Sequence, residues 1–249
     1  MPNSESRHTP VRLLINGARG RMGALLAGLA RDDSRYVIAA QRDVNDHDHA
    51  SGGPLAPGPA IDVVIDFSSD VGVRDACRLA REHHAALLVG STGLSAQTMA
   101  LLDETARSVA VLPAPNTSLG VAVLALLAGE AARLLGPSFD IDIIETHHTM
   151  KKDAPSGTAL RLAKAIEQRS AARGGGTTPF PSQRIHSIRA GDVVGEHIVH
   201  FAGPGERLTL THTATSRELF ARGALQAALF LAGKPPGRYT IEQALGIET

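Results

Sequence analysis

Short runs of apolar residues alternate with amphipathic segments in the first half of the chain. The first run, 11–15, ends at Asn16 and Gly17, and residues 22–30 then repeat apolar side chains at helical spacing. This succession predicts a strand, a tight turn and a helix. The same patterns predict further strands at 36–40, 61–67, 86–89 and 109–112 and further helices at 71–83 and 95–107. Because strands and helices alternate, we expect a Rossmann-type, doubly wound α/β fold, with a parallel sheet covered by helices on both faces.

The pattern changes after residue 116. A long apolar helix is predicted over 118–135, with Ser118 as its N-cap and Gly136 and Pro137 at its end. A strand, a helix, three alternating strands and a last helix follow at 139–145, about 155–168, 184–190, 196–201, 207–213 and 217–232. Glycine-rich turns join the three alternating strands, which favours an antiparallel arrangement and an α+β domain with a mostly antiparallel sheet. We therefore expect two domains, a dinucleotide-binding one formed by 1–117 and 217–249 and a substrate-binding and oligomerisation domain formed by 118–216.

Composition then excludes several classes of protein. The 25 basic residues balance the 25 acidic ones, so no overall positive field favours nucleic acid as a partner. Residues 1–10 are polar, and no later run reaches the roughly 18 apolar residues that a membrane span needs, so we expect a cytoplasmic protein with no membrane partner. Cys77 is the only cysteine, which excludes disulfide scaffolds, and we expect it in the core.

A glycine pattern marks the junction between the first predicted strand and helix. Gly17, Gly20 and Gly23 give the spacing G-x-x-G-x-x-G, which differs from the standard G-x-G-x-x-G. Glycines allow a sharp turn and close backbone approach, and the helix N-terminus then directs N–H groups at a pyrophosphate. The alternative is an ordinary strand–helix turn. We predict a dinucleotide site that includes Gly17, Ala18, Arg19, Gly20, Arg21 and Met22.

The end of the second predicted strand bears on the choice of dinucleotide. It reads Ala40-Gln41-Arg42, without the carboxylate that often binds the ribose 2′-hydroxyl. Arg42 could instead pair with a 2′-phosphate, although a solvated surface charge is the alternative. NADPH and NADH are therefore both expected as cofactors, with Gln41 and Arg42 at the adenosine end. Two loops at later strand ends are predicted to line the nicotinamide pocket, Gly90-Ser91-Thr92 and Ala114-Pro115-Asn116-Thr117.

The most distinctive polar segment spans 145–160. His147, His148, Lys151 and Lys152 concentrate hydrogen-bond donors and positive charge, which suits an anionic ligand. A histidine that titrates near neutrality is a natural general acid, and the lysines would polarise a bound substrate.

The residues after these lysines complete the predicted anion site. Pro155 is expected in the first turn of a helix, so that the N–H groups of Ser156, Gly157 and Thr158 could hold a carboxylate. The alternative is a solvated turn with a helix cap at Asp153.

No metal site is expected. His47 and His49 lie in a predicted loop, 43–59, without a matching set of carboxylates or thiolates, and His83 is distant in sequence. Adjacent histidines such as His147 and His148 point in different directions, which makes a poor zinc site.

These residues together resemble the dihydrodipicolinate reductase family, also called 4-hydroxy-tetrahydrodipicolinate reductases. His-His-x-x-Lys-x-Asp-Ala-Pro-Ser-Gly-Thr, at 147–158, is the most specific motif. The other matching segments are Gly17 to Gly23, Ile65-Asp-Phe-Ser68, Gly90-Ser-Thr-Gly93, 189–197 and Gly205-Glu-Arg-Leu208. The resemblance covers nearly the whole chain.

The resemblance implies an activity and a set of roles. The reaction is reduction, by NADH or NADPH, of the cyclic imine dicarboxylate made from aspartate semialdehyde and pyruvate, in the diaminopimelate route to lysine. By motif position His147 would be the proton donor or acceptor and Lys151 the second catalytic residue. His148 would hold the substrate, and Gly157 and Thr158 would bind one carboxylate. The resemblance also implies domain closure and a homotetramer in which strands of the second domain form a shared sheet.

Three departures from the family pattern leave questions open. Gln41 stands where many members have an acidic residue, Thr117 stands where many have Phe, and the loop 43–59 is shorter than in some members. Another Rossmann dehydrogenase of a small acid, or a catalytically silent nucleotide sensor, would share the glycine turn. A sensor has no need of a proton donor facing an anion site, which favours the enzyme.

Overall fold

The computed structural model describes residues 9–43, 60–171 and 180–247. Contacts divide the chain into two compact units, one running up to Thr117 and resuming at Phe220, the other Ser118–Leu219. In chain order the elements are β1 (Val11–Asn16), α1 (Arg21–Arg31), β2 (Tyr36–Arg42), β3 (Val63–Asp66), α2 (Asp70–Glu82), β4 (Ala86–Val89), α3 (Ala96–Thr105), β5 (Ala110–Pro113), α4 (Leu119–Leu135), β6 (Asp140–His147), α5 (Gly157–Ala171), β7 (Ile185–Arg189), β8 (Gly195–Gly203), β9 (Glu206–Ala214), α6 (Glu218–Leu231), β10 (Gly237–Arg238) and α7 (Ile241–Ala244).

The first unit contains a six-stranded sheet in the order β10-β5-β4-β3-β1-β2, and every neighbouring pair is parallel. The doubly wound parallel sheet predicted from the alternation of strands and helices is therefore confirmed. Its strands are buried on both faces, since Leu13 and Ile15 pack in one apolar cluster and Leu14 packs in the other. Cys77 is fully buried in the second cluster, as expected, and burial raises the pKa of its thiol.

The second unit contains a four-stranded sheet in the order β7-β6-β8-β9. The β6–β8 and β8–β9 pairs are antiparallel, which confirms a mostly antiparallel sheet, but β7 runs parallel to β6. The expectation that all three late strands form an antiparallel series is therefore wrong for β7. The reason is that α5 lies between β6 and β7 in the chain, and a strand–helix–strand crossover returns the second strand in the same direction.

Helices α4 and α5 supply the other side of the core of the second unit. Leu124 and Ala128 of α4 pack with Leu162 of α5 against Ile143 and Phe201 of the sheet. These side chains are at most 5% exposed. This arrangement leaves one face of the sheet uncovered by these two helices.

Helix α4 begins and ends where the sequence indicated. The Ser118 hydroxyl accepts the N–H of Val121 at 3.2 Å, and Gly136 closes the helix with φ +72°. The segment Leu119–Ser138 is long and apolar enough, by length and composition alone, to cross a membrane. The sequence-based statement that no run reaches that limit is therefore wrong for this segment. Its Glu130 and Arg133 pair with each other, and its inner face lies in the core of the second unit.

Candidate active site

The turn between β1 and α1 is held by backbone hydrogen bonds and by two glycines. The N–H groups of Gly17 and Ala18 donate to the carbonyl oxygen of Arg42, at 2.9 and 3.0 Å. Gly17 has φ +82°, and a Cβ at this position would lie 2.5 Å from the carbonyl oxygen of Phe67. A Cβ on Gly23 would lie 2.2 Å from the carbonyl oxygen of Gly17. Both positions therefore require glycine, and α1 begins directly against the turn.

The N-terminus of α1 suits a phosphate group. Its N-cap, Gly20, offers no side-chain acceptor, and its first turn contains no acidic residue. Helix-initial N–H groups have no partner within the helix and carry partial positive charge. Arg21 and Met22 open the helix, and the side chains of Arg19 and Arg21 are exposed. The residues of the predicted pyrophosphate turn thus meet at one helix end.

A buried carboxylate lies at the carboxyl edge of the same sheet. Asp66, at the end of β3, is fully buried and accepts hydrogen bonds from Asn16, Ser68 and Ser91, each at 2.6 Å. Burial raises the pKa of Asp66, and these hydrogen bonds oppose that effect. Sequence reasoning missed this network, although an aspartate that ends an apolar strand was a signal for it. Asp66 joins the end of β1 to the loop that carries Ser91.

The two loops predicted to line a nicotinamide pocket follow neighbouring parallel strands. Gly90, Ser91 and Thr92 come directly after β4, and 114–117 directly after β5. The second loop is tied to the end of β4, because the N–H of Ala114 donates to the carbonyl oxygen of Val89 at 2.8 Å. Pro115 and Thr92 are exposed and Asn116 is half-buried. Thr117 is buried, and its hydroxyl donates to the carbonyl oxygen of Phe220 at 2.6 Å, so its side chain is held away from the loop surface.

The end of β2 has a carboxylate nearby, which the sequence analysis did not predict. The Asp43 carboxylate, just beyond β2, accepts the N–H of Arg19 at 2.7 Å, so a carboxylate does lie at this edge of the turn. Gln41 is exposed. The Arg42 side chain is only 12% exposed, and its Nη1 lies 3.9 Å from Oδ2 of Asp75 on α2. Arg42 is therefore a partly buried residue beside α2, and the solvated-charge alternative is wrong.

A second group of predicted site residues begins at the end of β6. His147 is 8% exposed, and its Nδ1 is hydrogen-bonded to Oε2 of the fully buried Glu145. Gly195 faces it on β8, where a Cβ would lie 3.1 Å from Nε2 of His147. The missing side chain at this position leaves room for the imidazole ring.

The loop after β6 carries the basic residues. His148 is half-buried and Lys152 is exposed. The Lys151 ammonium lies 2.8 Å from Oδ2 of Asp153 and is 22% exposed. Lys151 is therefore paired with a carboxylate of its own loop.

The start of α5 differs from the predicted helix start. The helix begins at Gly157, so Pro155 lies outside it. The hydroxyl of Ser156, not the carboxylate of Asp153, accepts the N–H of Ala159, at 3.2 Å. The cap at Asp153 is wrong because that carboxylate pairs with Lys151 instead. Gly157 and Thr158 occupy the first turn, where helix N–H groups face outward.

Two histidines that sequence reasoning missed, the buried His197 and the half-buried His212, contact the N-cap hydroxyls of α5 and α4. His197 Nε2 lies 3.2 Å from the hydroxyl of Ser156, and His212 Nε2 lies 3.4 Å from that of Ser118. His197 and His212 face each other across β8 and β9. The rings of His147 and His197 meet edge to face, with centroids 5.2 Å apart. Histidines at alternate positions of strands were the only sequence signal.

Electrostatics favour neutral imidazoles here. Burial lowers the pKa of His147, Glu145 raises it, and the positive charges of Lys151 and Arg189 lower it further. Burial likewise lowers the pKa of His197 to about 4. Glu145 stays ionised, because hydrogen bonds from Arg189, Ser187 and His147 outweigh burial and bring its pKa to about 2. A neutral His147 thus donates Nδ1–H to Glu145 and leaves a lone pair on Nε2.

Among residues 9–43, 60–171 and 180–247, no cluster of three or more His, Cys, Asp or Glu side chains could hold a metal. His47 and His49 lie outside the described residues. His83 is the C-cap of α2.

Comparison with known protein families finds a match for both units of the chain. The family model for the N-terminus of dihydrodipicolinate reductase matches residues 11–117, and the model for its C-terminus matches 120–245. The chain belongs to the dihydrodipicolinate reductase family.

Relatives and solved structures agree with this membership. The 4-hydroxy-tetrahydrodipicolinate reductase of Stenotrophomonas maltophilia is 46% identical, over 95% of this chain and 98% of the relative. That of Myxococcus xanthus is 41% identical, over 96% and 98%. A solved dihydrodipicolinate reductase from Paenisporosarcina, bound to dipicolinate, has a TM-score of 0.72 over 93% of this chain and 98% of its own; at 23% identity it supports the fold.

Proposed function

We propose that the chain is a 4-hydroxy-tetrahydrodipicolinate reductase, which uses NADPH or NADH to reduce this cyclic imine dicarboxylate to tetrahydrodipicolinate in the diaminopimelate route to lysine. The observation that carries the proposal is the buried Glu145–His147 pair beside the Lys151 loop and the start of α5. It combines a proton-transfer group with donors for an anion. The 46% identity to a reductase of this name supports the same reaction.

The first unit would hold the dinucleotide. The pyrophosphate would fit the turn from Gly17 to Met22, where close packing excludes side chains at Gly17 and Gly23 and the first turn of α1 contains no acidic residue. The loops at 90–92 and 114–117 would border the nicotinamide, and Asp66 fixes Ser91 there. The bound cofactor supplies a hydride.

The second unit would hold and protonate the substrate. The N–H groups of Gly157 and Thr158 at the start of α5 would bind one carboxylate, with His148 and Lys151 adding donors and positive charge. His147 has a free Nε2 lone pair in the neutral state. A dianionic substrate stabilises the charged imidazolium, so His147 takes up a proton on Nε2 as the substrate binds. It then donates that proton as hydride is added to the ring, and the 4-hydroxyl group of the substrate leaves as water, so that one hydride and one proton convert the substrate to tetrahydrodipicolinate.

We propose that opposing charges set the cofactor preference. Asp43, which bonds the N–H of Arg19, would accept the ribose hydroxyls of NADH and repel the 2′-phosphate of NADPH. Arg42 would attract that phosphate, but Asp75 partly neutralises it. Both cofactors are therefore used, and neither is excluded.

We also propose that the enzyme is a cytoplasmic homotetramer without nucleic-acid or membrane partners, as in the family pattern. The sheet face opposite α4 and α5 supports a protein contact, since its Ile188 is 47% exposed while Ile144 and Ile198 are half-buried. Light scattering should give the mass of four chains, and Ile188→Asp should reduce it. A monomer at micromolar concentration would contradict this assembly.

A coupled assay tests the reaction. Purified protein receives aspartate semialdehyde, pyruvate and a dihydrodipicolinate synthase, with NADH and NADPH in parallel and the synthase omitted as the control. Oxidation of the nicotinamide that depends on the synthase is the expected result. Its absence with both cofactors, from folded protein that still binds nucleotide, would favour another dehydrogenase or a nucleotide sensor.

A further inference from the structure

The Glu145 carboxylate contacts both parts of the proposed substrate site. Oε2 accepts the hydrogen bond from Nδ1 of His147, and Oε1 accepts the N–H of Ser156 at 3.3 Å. Ser156 is the residue that caps α5 and precedes Gly157. The proton-transfer group and the helix end proposed to hold the substrate carboxylate are therefore fixed to one side chain.

Arg189 makes this buried carboxylate stable. Its Nη1 and Nη2 lie 3.0 and 2.9 Å from Oε2 and Oε1 of Glu145, a two-point ion pair across neighbouring strands. The same guanidinium donates to the backbone carbonyl oxygens of Lys151 and Asp153. It therefore also holds the loop that carries the proposed second catalytic residue. Because Glu145 already pairs with it, Arg189 is a weak candidate for binding a substrate carboxylate directly.

A carboxylate at position 145 has a chemical consequence that an amide would not have. An ionised carboxylate only accepts hydrogen bonds, so it fixes the His147 proton on Nδ1 and leaves Nε2 to exchange a proton with substrate. An amide has one acceptor atom for the two donors, His147 and Ser156, and its NH₂ group would face one of them. His197 supports the same arrangement from the other side, through the Ser156 hydroxyl.

We infer that Glu145 is a positioning residue for the reduction: it fixes the tautomer of His147 and the start of α5 together, with Arg189 as the counter-ion that keeps it buried and ionised. The inference rests on the proposed function for its catalytic consequence. Its structural part, the tautomer of His147, can be measured without substrate.

The test compares Glu145→Gln with Glu130→Gln. Glu130 also pairs with an arginine, Arg133, but lies on the partly exposed side of α4, which makes it a matched control. Nitrogen NMR of labelled histidine reports which ring nitrogen of His147 carries the proton. We expect Nδ1–H in the unmodified protein and in Glu130→Gln, and loss of that preference in Glu145→Gln.

Kinetics provide the second readout. Glu145→Gln should lower kcat by about 10²- to 10⁴-fold, as expected when a histidine loses its orienting carboxylate, and raise KM for the imine. It should move the alkaline limb of the kcat profile to lower pH, since a charge that raises the pKa of His147 is lost. The dissociation constant of NADPH should stay within about twofold, because the hydrogen bonds of Glu145 are to His147, Ser156 and Arg189, none of which belongs to the proposed dinucleotide turn. A merely structural role would reduce the amount of folded enzyme without changing the tautomer or the pH profile.

The outcomes separate this inference from the proposed function. An unchanged His147 tautomer and pH profile in folded Glu145→Gln would overturn it. An altered tautomer in a protein whose unmodified form shows no reductase activity would support the positioning role while the proposed function fails. If Glu145→Gln does not fold, Glu145→Asp keeps the charge for Arg189 but draws the carboxylate back from Nδ1 of His147. A weaker preference for Nδ1–H together with a lower kcat would then support the inference, and an unchanged tautomer with unchanged kcat would overturn it.

Discussion

Because α1 packs against the dinucleotide turn, replacing glycine by alanine in this helix should have opposite effects on stability at Gly23 and at Gly28. In Gly23→Ala the new Cβ would lie 2.2 Å from the carbonyl oxygen of Gly17 and 2.6 Å from Cα of Ala18, both backbone atoms. Such contacts are seldom shorter than 3.0–3.4 Å, so the helix and the turn must separate by about 1 Å. Gly28→Ala, in the same helix, meets nothing within 4 Å.

The expected magnitudes follow from this difference. Overpacking at Gly23 should lower the free energy of unfolding by about 1–3 kcal/mol. Loss of one or two charge-assisted hydrogen bonds to phosphate, each worth about 1.5–3 kcal/mol, should raise the dissociation constants of NADPH and NADH by about 10- to 10⁴-fold. Gly28→Ala should raise the free energy of unfolding by up to about 1 kcal/mol, because alanine favours helix, and leave nucleotide binding unchanged.

Fluorescence titration with each dinucleotide measures the dissociation constants, and urea denaturation measures the free energy of unfolding. If folded Gly23→Ala binds both dinucleotides as tightly as Gly28→Ala does, the turn does not hold the pyrophosphate as proposed. Equal loss of binding in both variants would also contradict this proposal, because only Gly23 contacts the turn.

Three further results are expected. His147→Gln should lower kcat by at least about 10²-fold with unchanged NADPH binding, and near-normal turnover would remove His147 as the proton donor. Gly195→Ala should lower kcat by about tenfold or more, because its Cβ would lie 3.1 Å from Nε2 of His147; a crystal structure with an unmoved ring and normal kcat would contradict this. Burial lowers the pKa of His147 in the free enzyme and bound dianion raises it, so the alkaline limb of kcat should lie at higher pH than that of kcat/KM. Coincident limbs would show that substrate leaves this histidine unaffected.

Arg42 and Asp43 should affect the choice of cofactor. Arg42→Ala should weaken the binding of NADPH more than that of NADH, and Asp43→Asn should strengthen the binding of NADPH relative to that of NADH. Both effects are measured as ratios of dissociation constants. Equal effects on the two dinucleotides would place both side chains away from the 2′-phosphate.

Local patterns in the sequence predict most of the elements. Helical and strand periodicity locate them to within a few residues, and Ser118 caps α4 as its residue type indicates. The direction of β7 was not predictable from its own residues, because it depends on pairing with β6. Ile185 of β7 pairs with Ile143 of β6, which lies 42 residues earlier in the chain. Because β7 is next to β8 in sequence, the sequence analysis wrongly paired β7 with β8.

The residues that support the site could not be predicted either, because they also depend on contacts between distant parts of the chain. Glu145 and Arg189 are 44 residues apart, and Asn16 and Asp66 are 50 residues apart, so only the folded sheets bring each pair together. Asp43 was overlooked because β2 extends to Arg42, beyond its predicted end at residue 40. By contrast, the residues that carry local motifs, such as His147 and Lys151, were identifiable from the sequence, whereas the groups that orient them were not.

Transfer of deuterium from the cofactor to the product shows whether the enzyme carries out the proposed reduction. NADPH or NADH carrying deuterium at the transferable C4 position of the nicotinamide is mixed with the enzyme and with imine made in place by a dihydrodipicolinate synthase, and the product is analysed by mass spectrometry. We expect tetrahydrodipicolinate that contains the deuterium, and almost none from His147→Gln in the same time. Oxidised cofactor without labelled tetrahydrodipicolinate, or unreacted imine beside a folded protein that binds both ligands, would contradict the proposed reduction.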